Sequence, residues 1–200
     1  MSVYSSFHKT IFSLISSIYS LFFQINSRKD LKKIEAYREI LGKPEEVKVL
    51  DLGCGTGTLT WAFREAGFKV VGADISPAMM RTARKNGIDC VETDILAGTP
   101  FKDESFELVC ASFVAHGMRK NLRRKLYAEA SRLSSERVLF QDYNDKLPFF
   151  PVIIIELLEL LIGGDFFGFR KTAIDGMLEY FSEVIEYQVD RSCSWYICRK

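Results

Sequence analysis

The sequence predicts an α/β protein of the doubly wound type, with a mostly parallel seven-stranded sheet, an antiparallel last strand and additional N-terminal helices. Three observations support this fold class. From residue 47 onward, short apolar runs alternate with segments of helical periodicity. A glycine-rich turn follows the first run, and the last two runs are too close together for anything but a hairpin. Strands separated by helices form parallel sheets, because each connection has to cross back over the sheet.

The N-terminal part of the chain predicts helices rather than strands. Apolar residues recur at helical spacing over 7–25, which indicates an amphipathic helix, and the charged stretch from Arg28 to Leu41 predicts a second helix ending at Gly42. Neither the first helix nor the apolar segment 147–162 offers the ~20 uninterrupted apolar residues of a spanning helix. We expect no transmembrane segment, and contact of the first helix with a membrane surface remains an alternative.

The apolar runs predict the strands, and the segments of helical periodicity between them predict the helices. The predicted strands are residues 47–52, 69–74, 89–94, 106–112, 137–143, 184–189 and 194–199. Helices are predicted over 58–66 and 76–86, the second with Ser76 as N-cap, Pro77 at the first helical position and Gly87 as C-cap.

A further helix follows the fourth strand. Its buried face is marked by Leu122, Leu126, Ala130 and Leu133, and its outer face is basic, with Arg119, Lys120, Arg123, Arg124 and Lys125. Such a face is either solvated or a docking patch for an anionic surface.

Length and composition limit the domain organisation and the partners. Two hundred residues at 48% hydrophobic suit one domain. We expect a single domain over 1–200, with a helical lid at 1–42, a cofactor-binding core at 47–143, a second lid segment at 144–170 and a closing hairpin at 184–199. Lys and Arg number 27 against 26 Asp and Glu, so the chain lacks the basic excess of a nucleic-acid binder, and no such partner is expected.

The cysteines indicate the compartment. They are five in number, lie mostly in apolar runs and show no Cys-x-x-Cys spacing, which favours reduced core residues of a cytoplasmic protein. Cys193 and Cys198 are too far apart, with no nearby histidine, to predict a metal site.

The turn after the first strand predicts a ligand site. Gly53, Gly55 and Gly57 follow VLDL there, and absent side chains let a backbone approach a ligand closely. A nicotinamide enzyme would have G-x-G-x-x-G, whereas the third glycine here comes one residue early. This spacing argues against a nicotinamide oxidoreductase.

Two acidic residues end the next two strands. Asp74 stands where a carboxylate can accept hydrogen bonds from both hydroxyls of a ribose, and Ile75 beside it can lie flat against a purine. Asp94 can accept from an exocyclic adenine amine, with Ile95 supplying a backbone donor.

These segments together resemble the class I S-adenosylmethionine-dependent methyltransferases, particularly the small-molecule enzymes related to quinone biosynthesis. The matching segments are VLDLGCGTG at 49–57, VVGADIS at 70–76, the pair Asp94 and Ile95, TPFKDESFELV at 99–109 and ASFVAHGM at 111–118. The resemblance implies a Rossmann-like methyltransferase fold and S-adenosylmethionine as cofactor, with S-adenosylhomocysteine as product.

The resemblance also implies a role for each matching residue. The neighbours of the methionine moiety would be Asp51, Gly53, Cys54 and Gly55. Asp74 would hold the ribose, and Ile75, Asp94 and Ile95 the adenine. Ala111 would bind the methionine ammonium through its carbonyl oxygen.

His116 is the candidate catalytic residue. It is one of two histidines and follows the fourth strand, at the carboxyl end of the sheet where doubly wound folds bind ligands. It is interpreted as a base or acceptor contact, with packing or loop bracing as the alternative. Asp142 and Tyr143 are weaker candidates by position alone. The Asn/Asp-Pro-Pro-aromatic motif of enzymes that methylate nucleic-acid amines is absent, since Ser112 to His116 stand there.

The sequence therefore predicts a methyltransferase acting on a small, largely apolar acceptor. We expect helix 7–25 and segment 144–170 to enclose that acceptor, the alternative being that both simply pack on the sheet. A catalytically silent methyltransferase-like binding or regulatory protein is the rival function.

Overall fold

The computed structural model describes residues 23–148, Ile153 and residues 164–200. These residues belong to two compact units, one up to Pro100 and one from Phe101 onward. The predicted helix 7–25 lies outside the described residues except for its last turn, and so does the middle of segment 144–170. Both enclosure hypotheses therefore remain predictions.

The first unit contains three strands and the helices that connect them. Its elements are α1 (Phe23–Ala36), α2 (Arg38–Leu41), β1 (Lys48–Leu52), α3 (Thr58–Glu65), β2 (Lys69–Asp74), α4 (Pro77–Lys85), β3 (Cys90–Glu92) and a short 3₁₀ turn (Ile95–Ala97). β2 pairs in parallel with both β1 and β3, with Asp51 opposite Gly72 and Ala73 opposite Val91. The predicted β-α-β alternation is confirmed for this unit.

The helix α1 begins earlier and ends earlier than predicted. It includes Phe23, ahead of the predicted start at Arg28, and it stops at Ala36 because Tyr37 has a non-helical backbone. Phe23 and Ile34 are buried, and the Phe23 ring meets that of Trp61 edge-on, with ring centroids 6.4 Å apart. The described part of the predicted N-terminal lid thus packs on α3.

Helix α4 shows the predicted start and a slightly different end. The Ser76 hydroxyl accepts from the Met79 N–H at 3.4 Å, and Pro77 occupies the first turn. Asn86 is the C-cap, and Gly87 follows it with φ of 71°, a conformation that favours glycine.

The second unit contains the remaining strands. Its elements are β4 (Phe106–Ser112), α5 (Lys120–Leu133), β5 (Ser134–Tyr143), α6 (Phe166–Leu178), β6 (Glu183–Asp190) and β7 (Cys193–Arg199). β4 and β5 are parallel, whereas β7 runs antiparallel to both β5 and β6. The predicted closing hairpin is confirmed.

The strands form the predicted seven-stranded, mostly parallel sheet with an antiparallel final strand. The fold-class prediction is therefore confirmed. No helix within the described ranges is both long enough and apolar enough to cross a membrane.

Helix α5 corrects one expectation about the basic face. Leu126, Ala130 and Leu133 are buried as predicted, whereas Leu122 is only half-buried. Arg123, which the spacing predicts on the outer face, is buried at 4% exposure. Its guanidinium is held by the Met118 carbonyl at 2.7 Å and by the Asp165 carboxylate at 2.9 Å. A partner 42 residues away in sequence explains this burial, and helical periodicity does not reveal such a partner.

Candidate functional site

The glycine turn after β1 is held open by its backbone conformation. Gly53, Gly55 and Gly57 all have positive φ, at 73°, 55° and 85°, where side-chain-bearing residues are strained. The Gly53 and Cys54 N–H groups both donate to the Ala73 carbonyl, at 2.7 and 3.1 Å. A Cβ added at Gly55 would meet no atom within 4 Å. The turn therefore leaves room for a ligand to approach its backbone.

Asp74 lies directly against this turn. The Gly55 N–H donates to its Oδ2 at 2.9 Å, and the Ser76 N–H donates to its Oδ1 at 2.7 Å. Asp74 is only 8% exposed, and this burial raises the pKa of its carboxyl, an effect that the backbone N–H donors partly offset. A carboxylate kept buried at a strand end, beside open space, fits the recognition of ribose hydroxyls.

Asp51 and Cys54 are the buried members of the predicted cofactor set. The Thr60 hydroxyl donates to Oδ2 of Asp51 at 2.6 Å, which ties the end of β1 to α3. Burial, followed by the charges of Asp51 and Asp74, raises the pKa of the Cys54 thiol. Cys54 is therefore a neutral packing residue of the turn, and the contacts of both residues with a methionine moiety remain predictions.

The adenine candidates lie at the end of β3 and just after β2. The Asp94 carboxylate accepts from the Leu96 N–H at 3.0 Å and caps the 3₁₀ turn, in which Ile95 is buried. The Thr93 N–H donates to the Asp74 carbonyl at 2.9 Å, so the segment carrying Asp94 is tied to Asp74. Ile75 is half-buried beside Asp74. The first unit thus brings Gly55 and Asp74 into direct contact and ties the Asp94 segment to them.

Ala111 and His116 belong to the second unit. Ala111 is buried near the end of β4, opposite Phe140 of β5. His116 is also buried, at 5% exposure, and its Nδ1 lies 2.7 Å from Oδ1 of Asp142. The other oxygen of Asp142 accepts from the backbone N–H groups of Ala115 and His116, at 3.0 and 3.2 Å.

These contacts show that Asp142 orients His116, a role that its position in the sequence alone does not indicate. A carboxylate at Nδ1 favours a proton on that nitrogen and makes Nε2 the atom that can accept one. The backbone carbonyl of His116 is held as well, because it accepts a hydrogen bond from the Asp165 N–H at 3.1 Å. The geometry thus combines loop bracing with the orientation needed for a general base.

Comparison with known proteins supports the same interpretation of the core. Residues 49–136 match the family model described as a methyltransferase domain. The 18S rRNA (guanine-N(7))-methyltransferase of Bos taurus is 38% identical over 99 residues, which cover 48% of this chain and 35% of that protein. The demethylmenaquinone methyltransferase of Renibacterium salmoninarum is 38% identical over 90 residues, which cover 44% of this chain and 36% of that protein.

The matched region spans about a third of the length of these curated relatives. A solved structure from Thermotoga maritima, described as a SAM-dependent methyltransferase and possible histamine N-methyltransferase, has a TM-score of 0.71 at 17% identity. That alignment covers 96% of this chain and 99% of the other. At this level of identity the likeness shows the shared fold.

Proposed function

We propose that the chain transfers a methyl group from S-adenosylmethionine to a small, largely apolar acceptor, because residues 49–136 match the family model described as a methyltransferase domain. This match, the demethylmenaquinone methyltransferase relative and the shared fold together support the predicted resemblance to class I S-adenosylmethionine-dependent methyltransferases. The product formed from the cofactor is S-adenosylhomocysteine.

The contact between Gly55 and Asp74 carries this proposal. It places a buried carboxylate, held by backbone N–H donors at 2.9 and 2.7 Å, beside the open space over Gly55. These groups fit a nucleoside whose ribose hydroxyls donate to Asp74. The methionine end would lie along the backbone from Gly53 to Gly55, and Ile75, Asp94 and Ile95 would contact the adenine.

When bound, S-adenosylmethionine supplies a methyl group already activated by its sulfonium. The protein therefore has to bind both molecules, orient the acceptor and exclude water. His116 is the residue that we assign to the acceptor proton, because Asp142 fixes its ring at 2.7 Å and can stabilise the imidazolium that forms.

The proposed class of acceptor rests on the net charge of the chain and on the absence of a nucleic-acid methyltransferase motif. Its formal charge is +1, and Ser112 to His116 replace the motif of nucleic-acid amine methyltransferases. One matched relative acts on 18S rRNA and another on demethylmenaquinone, so relatives include both kinds of acceptor. We favour the small molecule, because an RNA partner requires a basic surface that this balanced composition does not predict.

The same proposal places the protein in the cytoplasm. The thiols of Cys54, Cys110, Cys193 and Cys198 are buried and belong to no disulfide within the described part of the chain, which suits a reducing compartment.

A transfer assay tests the function. The chain is incubated with methyl-labelled S-adenosylmethionine and three separate acceptor classes: reduced demethylmenaquinone, small apolar phenols and a ribosomal RNA fragment. Label in a small molecule, lost in Asp74→Ala, supports the proposal. Label found only in RNA overturns the acceptor class, and cofactor binding without transfer to any acceptor favours a silent binding protein.

A further inference from the structure

Phe113 has a backbone conformation that is unfavourable for its side chain. It directly follows β4 and has φ of 52°, in the left-handed region that glycine or asparagine normally occupies. A bulky residue held there costs about 1 kcal/mol or more. Such strain persists only where the surrounding structure imposes it.

Gln141 of β5 imposes this conformation. The Phe113 N–H donates to the Gln141 carbonyl at 2.7 Å, and the Gln141 side chain donates to the Ser112 hydroxyl at 2.8 Å. The same side chain accepts from the indole N–H of fully buried Trp195, at 2.7 Å. The turn at Phe113 is thus fixed by a buried hydrogen-bond network.

The ring that this turn presents is only partly buried. Phe113 is 42% exposed, so a large part of its ring surface remains open to a ligand. The ring meets Tyr143 and His116 edge-on, with ring centroids 5.2 and 6.2 Å apart. Strain combined with exposure, next to the candidate base, indicates a residue kept for ligand contact.

The aromatic contacts continue beyond Phe113. Tyr143 meets Phe166 at 5.0 Å, and Phe166 meets Phe167 at 5.1 Å, both edge-on. Phe167 is 40% exposed, whereas Tyr143 and Phe166 are buried. We name this set the aromatic row: Phe113, Tyr143, Phe166 and Phe167. It lies at the carboxyl ends of β4 and β5 and at the start of α6, the edge where doubly wound folds bind ligands.

We propose that Phe113 determines acceptor specificity by contacting a flat, uncharged, unsaturated ring that carries a hydroxyl group. This inference rests on the proposed function and names the substrate class of its acceptor site. A flat ring gains edge or face contacts with Phe113 that a saturated ring of equal size does not gain. The carboxylate of Asp142 already accepts hydrogen bonds from the backbone N–H groups of Ala115, His116 and Tyr143 and contacts the His116 ring. Because its charge is engaged in these contacts, the site around His116 suits a neutral acceptor.

The transfer step balances without any further reactant. The acceptor oxygen forms a bond to the methyl carbon as the carbon–sulfur bond breaks, and that electron pair goes to the sulfur. The hydroxyl proton goes to His116, whose positive charge Asp142 stabilises. The hydroxyl is therefore the acceptor group that makes use of both His116 and the aromatic row.

The test compares a flat ring with its saturated counterpart. Binding of 2-naphthol and of decahydro-2-naphthol to the full chain is measured by calorimetry with S-adenosylhomocysteine present. The parent should bind 2-naphthol about ten-fold more tightly. Phe113→Asn should lose this preference while keeping or raising the melting temperature, because asparagine tolerates the left-handed conformation.

Leu178→Asn provides the matched control, since Leu178 is 48% exposed and lies at the far end of α6. It should keep the preference for the flat ring. Equal binding of both alcohols by the parent, no binding of either, or a preference retained in Phe113→Asn would overturn the inference. A separate titration with S-adenosylhomocysteine alone identifies the cause: a parent that binds it but not naphthol contradicts only this inference, whereas one that binds neither contradicts the proposed function too.

Discussion

The imidazole of His116 and the carboxylate of Asp142 form a buried pair, with Nδ1 and Oδ1 2.7 Å apart. The backbone N–H of the same histidine reaches the second carboxylate oxygen at 3.2 Å. One acidic side chain thereby fixes both the ring and the main chain of His116. A base positioned in this way requires no rearrangement before it accepts a proton.

Replacement of His116 by glutamine should slow methyl transfer more than it weakens cofactor binding. Loss of a general base lowers the rate ~100-fold. The residues assigned to the cofactor's ribose and adenine all belong to the first unit, so the dissociation constant of S-adenosylhomocysteine should stay within about two-fold. Single-turnover rates and calorimetry on the same preparation measure both quantities. Equal rates for His116→Gln and the parent would remove His116 from the chemistry.

Asp74 should make stability depend on pH in a specific direction. Burial raises the pKa of its carboxyl above that of the unfolded chain. As pH rises through the carboxyl range, the unfolded chain therefore releases this proton first, and stability falls between the unfolded and folded pKa values. Asp74→Asn removes this contribution, so the free energy of unfolding of the variant relative to the parent should increase with pH. Urea titrations of both proteins across that range give the difference, and a constant or opposite trend would contradict the buried carboxylate.

Gly72→Ala should displace the glycine turn through Cys54. A Cβ at Gly72 would lie 2.6 Å from Sγ and 3.0 Å from Cβ of Cys54. Overpacking of this kind costs about 1–3 kcal/mol, and the affinity for S-adenosylhomocysteine should fall as the turn shifts. The double variant with Cys54→Ala removes only the sulfur contact, so it should recover part of both losses. A Gly72→Ala protein with the parent's stability and affinity would show that this packing is not tight.

Arg123→Met should destabilise the second unit much more than Arg124→Met. Arg123 is buried and pairs with Asp165, whose side chain is 34% exposed, so loss of the cation costs about 2 kcal/mol or more. Arg124 pairs with Glu179 at the surface and should leave the denaturation midpoint nearly unchanged. Chemical denaturation of both variants makes the comparison. Similar midpoints would mean that the buried pair does not stabilise the unit.

Local sequence patterns were sufficient for the strands, the helix start at Ser76 and the ligand turn. Apolar runs and glycine positions are signals contained within a few consecutive residues, so they can be recognised without knowledge of tertiary contacts. The contact between Gly55 and Asp74 was also foreseeable, because the ends of β1 and β2 meet at one edge of a parallel sheet.

Contacts between distant residues were not foreseeable from those patterns. Arg123 has the spacing of a surface residue, and only Asp165 explains its burial. Phe113 carries no sequence signal of a left-handed backbone, since Gln141 and Trp195 impose that conformation from other strands. The sequence likewise gives no strong signal for Asp142, because its role depends on the contact with His116, which lies 26 residues away in the chain.

The central claim, a S-adenosylmethionine site built on Gly55 and Asp74, is tested most directly by calorimetric titration of the full chain with S-adenosylhomocysteine and, separately, with NAD. We predict binding of S-adenosylhomocysteine in the micromolar range, the usual scale for small cofactors, and no binding of NAD. Asp74→Ala should weaken the affinity about ten-fold or more, because two ribose hydroxyls lose their acceptor. Equal affinity of Asp74→Ala and the parent, or a parent that binds NAD instead, would contradict the account.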